Sequence, residues 1–203
     1  MTVLKLPMRV TLWLVWILAS TGLIGYGWML HRVDRAEALY WEGALDGAID
    51  ALGSLEGEFR GHWWLARILP AERERVANNY LRLLYAREDY DRVIQEAEAY
   101  LLDDDDPSEL VRYWLGNAYY RKAVAPDGEP DEAMAWLRRA GEQYANAIAK
   151  STVDWDLKYN HELVQTLLRR VNQKPGEEKI FDLLRPQDKN GPQPPQPRGG
   201  RIG

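Results

Sequence analysis

The sequence predicts an all-α protein: one N-terminal transmembrane helix followed by a short array of helical hairpins. Three observations predict it. Val10 to Leu30 runs for 21 residues without a charge, long enough to cross a bilayer core as one helix. Beyond that run the apolar residues recur with helical period, with no period-two alternation and no hairpin turn between apolar runs. The same spacing of small and large apolar residues also returns in three successive stretches, the mark of an internal repeat.

Composition narrows the function classes. The chain has 203 residues and a formal net charge of −5, which suits one modest domain with additions. A mildly acidic balance argues against nucleic acid, whose binding needs a concentrated basic face. With no cysteine there are no disulfides, thiolate metal sites, cysteine nucleophiles or lipidated cysteines. Nine tryptophans and eleven tyrosines stand against two phenylalanines. Rings that carry a polar handle favour half-wet positions at interfaces, grooves and membrane surfaces.

The first elements are a leader, 1–9, and the transmembrane helix, 10–30. Trp13, Trp16, Tyr26 and Trp28 lie toward the ends of the span, where aromatic belts form. The alternative is a cleaved signal peptide, but Ala19-Ser20-Thr21 is a poor cleavage site and the apolar run continues past it. Lys5 and Arg9 precede the span and Arg32 and Arg35 follow it. The positive-inside count is therefore balanced, and only the amino terminus tips it toward the cytoplasm. A short leader before a large C-terminal domain behaves as a signal anchor. This places the helical domain, 34–185, outside the cytoplasm.

The clearest repeat unit starts at Leu110. Leu115-Gly116 is followed by Tyr119 and then by Ala133, Leu137 and Ala140. This resembles the tetratricopeptide repeat, in which small residues let two helices of a hairpin approach and large ones fill the gap to the next hairpin. The stretch "AVAPDGEPDE" makes the turn longer than the consensus, with Pro126-Asp127-Gly128 and Pro130 as turn and helix-start signals. A second unit carries Tyr80, Leu81 and Leu84 on its first helix and Tyr90, Val93, Ile94 and Ala97 on its second. A third, earlier unit has Gly43, Leu45, Ala48, Ile49 and Leu52, its first helix running straight out of the membrane span. The first two units in chain order lie about 45 positions apart instead of about 34. The excess contains "EGEFRGHWWLARILP". After Ala140, "GEQYANAIAKS" and "DWDLKYNHELVQTLLRRV" are expected to form a further helix pair that caps the array. An irregular helical bundle is the alternative.

Asp103 to Asp106 raise the question of a metal. Asp106-Pro107-Ser108-Glu109 reads instead as a helix start, with Asp106 as cap, Pro107 at the first position and Glu109 closing a capping box. A calcium loop needs alternating ligands, a glycine turn and a distal glutamate, and that spacing is missing. His161-Glu162 has no second histidine four residues on, so it is no zinc helix. No phosphate loop or nucleophile elbow is found, and the scattered acidic pairs read as solvated helix faces. The expectation is no enzyme, no metal and no cofactor.

Binding is the remaining class. Concave faces of such arrays bind extended peptides or helices, and their first helices line that face. Asn78, Asn79, Arg82, Arg112, Asn117 and Tyr120 are the candidates, with Asn117 favoured because an amide can clamp a peptide backbone. Trp63, Trp64, Leu65, Ile68 and Leu69 form an apolar cluster. It reads either as packing between repeats or as a dock for the membrane surface or a partner. The tail, 186–203, holds five prolines and four glycines and is expected to be disordered.

The layout resembles MxaK-like proteins: small bacterial proteins with one membrane helix and a short tetratricopeptide domain. They accompany MoxR-type AAA+ ATPases and von Willebrand factor A proteins, and the MxaK-like members belong to methanol-oxidation gene clusters. Trp155, Asp156, Tyr159, Asn160, Glu162 and Leu163, in an Asp-x-x-Tyr-Asn-x-Glu-Leu setting, are the most pointed part. The resemblance implies a non-enzymatic scaffold in the bacterial inner membrane, N-terminus cytoplasmic and repeats periplasmic. Such a scaffold would assist maturation or metal insertion of a periplasmic client such as methanol dehydrogenase. The alternatives are a translocon-associated or chaperone-like repeat protein holding unfolded clients, and a structural subunit of a membrane enzyme complex.

Overall fold

The computed structural model describes residues 8–103, 108–125, 130–150 and 155–173. Every element among them is an α-helix: α1 (Met8–Trp41), α2 (Leu45–Gly61), α3 (Trp63–Ile68), α4 (Pro70–Ala86), α5 (Tyr90–Asp103), α6 (Glu109–Ala123), α7 (Pro130–Ile148) and α8 (Trp155–Gln173). Contacts divide the chain into two compact units, Met1–Trp114 and Leu115–Gly203.

In the first unit, α1 has two characters. Among the described residues it alone is long and apolar enough to cross a membrane. Leu12 through Leu18, Leu23 and Ile24 are exposed, whereas Met29, Val33 and Ala36, one face at steps of four and three, are buried. The helix thus leaves the apolar run without a break and becomes part of the helical core.

Two turns of one kind follow. At the end of α1 the Gly43 N–H bonds the Tyr40 carbonyl and the Ala44 N–H bonds that of Leu39, with Gly43 at φ +81°. At the end of α4 the Glu88 N–H bonds the Tyr85 carbonyl and the Asp89 N–H that of Leu84, with Glu88 at φ 65°. Both are Schellman turns, which satisfy the last carbonyls of a helix through one left-handed residue. They stand 45 positions apart, the offset expected between the first two repeat units. After the second turn, the Asp89 carboxylate caps α5 by accepting from the Arg92 N–H at 3.3 Å.

Of the residues that the repeat pattern singles out, Leu45, Tyr90 and Ile94 are half-buried and most others are core. Ala48, Ile49 and Leu52 on α2 and Val93 and Ala97 on α5 are buried, as are Val76, Ala77, Tyr80, Leu81 and Leu84 on α4. The stretch from Glu56 to Pro70, expected as an excess between units, is divided among helices. Leu55, Glu56 and Phe59 extend α2, the helix breaks at His62, and the short α3 follows.

In the second unit, Leu115, Ala118 and Tyr119 of α6, Ala133, Leu137, Ala140, Tyr144 and Ala147 of α7, and Leu157, Val164 and Leu167 of α8 form the core. Pro130 opens α7, with Asp131 and Glu132 favourably placed in the first turn. Of the two helices expected after Ala140, the second is α8, but the first is no separate helix and only continues α7. Gly141 does not end α7, which runs on to Ile148. Gly141 instead permits close packing on α8, since a Cβ there would sit 3.2 Å from Gln165 Nε2 and 3.4 Å from Val164 Cγ1. At the start of α6, the Ser108 hydroxyl accepts from the Leu110 N–H at 3.1 Å and donates to Glu74 at 2.6 Å. Asp104 to Pro107, including the expected cap Asp106, lie outside the described residues, as does the 186–203 tail.

Candidate functional site

In the first unit, α4 presents a face built from Asn78, Arg82 and Tyr85, spaced four and three residues apart. Asn78 Oδ1 accepts from the Trp114 indole N–H at 2.7 Å. Tyr85 meets the Trp114 ring at 5.5 Å and the Tyr90 ring at 5.3 Å, and Tyr113 lies edge-on to Trp114 at 5.2 Å. At the other end Arg82, exposed, sits 5.7 Å from the Tyr40 ring, and Tyr40 packs edge-on to the exposed Trp41. Further ties run from Arg75 on α4 to Glu37 on α1 and from Ser108 to Glu74. Within this unit the side chains of α1, α4 and the start of α6 therefore adjoin along one half-exposed wall of aromatic rings and arginine. The predicted Asn78 and Arg82 belong to it. Arg112 is half-buried two residues before Trp114, and Asn79 is half-buried beside Asn78.

In the second unit, Asn117 is 7% exposed. Its Oδ1 accepts from the Tyr144 hydroxyl at 2.6 Å and from Asn160 Nδ2 at 3.2 Å, so the acceptor expected to face a peptide is engaged by α7 and α8. Gly116 makes this possible. A Cβ there would sit 2.7 to 3.1 Å from the Tyr144 ring. Tyr120, three residues on, is half-buried. Trp155 and Tyr159, part of the pointed C-terminal motif, are exposed, while its Leu157 is core.

A polar cluster escaped the sequence reading. Glu56 on α2 is 3% exposed, with one carboxylate oxygen lacking a hydrogen-bond partner. The other lies 3.6 Å from Arg60, which bonds Glu96 of α5 at 2.7 Å. Burial lifts the Glu56 carboxyl to about 7, and the positive charges of Arg73 and Arg60 offset only part of that rise. Arg73 is itself buried, stacked 4.5 Å over Tyr100 and 3.8 Å from Asp103. Tyr80 accepts from Arg92 at 2.7 Å. The signal was present in the sequence: Ile49, Leu52, Glu56 and Phe59 share the α2 apolar stripe. A carboxylate on such a stripe is a buried acid, not a solvated one.

The apolar cluster of α3 lies outside the helical core. Trp63 is 75% exposed, Trp64 49% and Ile68 66%. Beside it opens a cleft of about 540 Å³, bounded by α1 from Leu18 to Met29, by Leu55, Glu58 and Phe59 of α2, and by Trp64, Leu65, Ile68 and Leu69. Among the described residues no three histidine, aspartate or glutamate side chains converge as they would around a metal ion. Compared with family models, curated proteins and solved structures, the chain finds no match.

Proposed function

We propose that this chain is a membrane-anchored scaffold for protein–protein interaction that performs no chemistry of its own, with α1 as the anchor and a tetratricopeptide-like order of helices behind it. The observation that carries the reading is the wall on α1, α4 and α6. Tryptophan, tyrosine and arginine are the residue types that dominate binding energy at protein interfaces. Here Trp41 and Arg82 are exposed on either side of the Tyr40 ring, and the Trp114 ring is held by Asn78 and Tyr85. Pre-ordered rings lose little side-chain entropy when a partner covers them. The two equivalent turns and the side-chain ties from α4 to α1 and to the start of α6 support the repeat-like order.

The partner reading follows the resemblance: a MoxR-type ATPase and von Willebrand factor A proteins, maturing a periplasmic enzyme such as methanol dehydrogenase, with the helical units on the periplasmic side. The test is a crosslinked pull-down of the full-length protein from its native membranes, with recovered proteins quantified. Enrichment of such an ATPase or von Willebrand A protein, lost in an Arg82→Ala/Trp41→Ala variant, supports the reading. Translocon components with many unrelated clients would favour a holding chaperone. One enzyme in fixed stoichiometry would make the chain a structural subunit.

A further inference from the structure

α1 and α3 form one continuous apolar surface. The cleft residues of α1 run from Leu18 to Met29, which is about 16 Å along a helix. All of them but Leu18 fall in the second half of the uncharged Val10–Leu30 run. Whatever surrounds that half of the span therefore also meets α3. Leu23, Ile24 and Trp28 on α1 and Trp63, Trp64 and Ile68 on α3 are all exposed.

The cleft suits an occupant with no polar groups. Its few polar side chains are satisfied by the protein. The Thr21 hydroxyl donates to the Ile17 carbonyl at 2.9 Å, the Tyr26 hydroxyl to Glu72 at 2.9 Å, and Glu58 pairs with Arg32. Gly22 and Gly25 leave the floor open, with nothing within 4 Å of where a Cβ would stand. At the helix break three backbone donors stay bonded, His62 to Glu58, Leu65 to His62 and Leu69 to Leu65. The polar groups close by, Arg32, Glu58, His62 and Arg67, suit the headgroup level, where tryptophan rings also gather and arginine side chains can extend toward water.

We propose that α3 is a second membrane contact: it lies in the headgroup and upper acyl region of the leaflet beside α1, and phospholipid acyl chains fill the α1–α3 cleft. This rests on α1 crossing the membrane. The consequence is a two-point attachment that fixes the tilt and rotation of the first unit at the surface, where a single span would let it swivel.

The native chain has no cysteine, so single cysteines report cleanly. Full-length Ile68→Cys, Leu14→Cys and Asp50→Cys variants, labelled with an environment-sensitive fluorophore, are reconstituted in phosphatidylethanolamine–phosphatidylglycerol vesicles containing doxyl-labelled lipid. The expected result is quenching at position 68 comparable to that at 14 and several-fold stronger than at 50. Adding Trp63→Ser and Trp64→Ser should lower the quenching at 68 and leave it unchanged at 14. Quenching at 14 without quenching at 68 would overturn the proposal and leave the anchor standing. No quenching at 14 would remove the anchor and the proposal together. If position 68 resists a water-soluble maleimide in native membranes but reacts in the vesicles, a protein covers the cleft and the lipid assignment is wrong.

Discussion

Glu56→Gln changes one buried charge and little volume. Glu56 titrates near 4.5 in the unfolded chain and near 7 in the folded unit. Below the lower value both states are protonated and nothing is lost. Between the two values the folded chain holds a proton that the unfolded chain has released, so stability falls as pH rises. Above the upper value both states are ionised and the loss is complete, about 3 kcal/mol for a shift of this size. From about pH 5 to about pH 8 the expected loss is roughly 2–3 kcal/mol, between one and two orders of magnitude in a protection factor. Glutamine carries no charge to desolvate, and Arg60 keeps its bond to Glu96. The assay is hydrogen exchange of the α2 and α4 amides in the full-length protein in nanodiscs, corrected for intrinsic rates. The native chain should lose protection across this range and Glu56→Gln should not, ending the more stable of the two at the upper pH. Parallel pH profiles, or a glutamine variant less stable there, would refute the buried-acid account.

Gly116→Ala should destabilise the second unit by about 1–3 kcal/mol, because the added methyl meets the Tyr144 ring in a packed core; denaturant unfolding of the full chain reads it. Tyr144→Phe should weaken the same unit by about 1 kcal/mol through loss of its bond to Asn117, seen as faster exchange in α6 and α7. At the two Schellman turns the signs should be opposite. Gly43→Ala is expected to destabilise by about 1 kcal/mol and Glu88→Gly to be neutral or stabilising, since each turn needs a left-handed residue; thermal unfolding compares them. Trp63→Ser should change stability by less than about 0.5 kcal/mol, because the ring is exposed, in the same unfolding assay.

The helical elements and much of the core were legible because they follow from local pattern. Gly43 marks the end of α1, and Ala48, Ile49, Leu52, Val93, Ala97, Leu115, Leu137 and Ala140 occupy the buried positions their spacing implies. The continuation of α7 past Ala140 was not legible. Gly141 reads as a stop until its packing on α8 is seen. Asn117 was singled out for its type and helix position. Which partner an amide takes depends on Tyr144 and Asn160, 27 and 43 residues away, and no local pattern encodes that. The long aromatic wall has the same origin: Asn78 and Trp114 are 36 residues apart. For Trp63 and Trp64 the sequence favours core packing over a surface dock, whereas both rings are exposed; periodicity over the six residues of α3 cannot distinguish the two.

The most direct test of a helical scaffold held at a membrane by α1 is the sidedness of single cysteines in intact cells and in opened membranes. Asp50→Cys on the exposed face of α2 and Met8→Cys at the start of α1 are probed with an impermeant maleimide. The account predicts a protein that resists alkaline extraction, with position 50 labelled in cells whose outer barrier alone is permeabilised and position 8 labelled only after the inner membrane is opened. Release by alkali, or equal labelling of both positions before the inner membrane is opened, would contradict it.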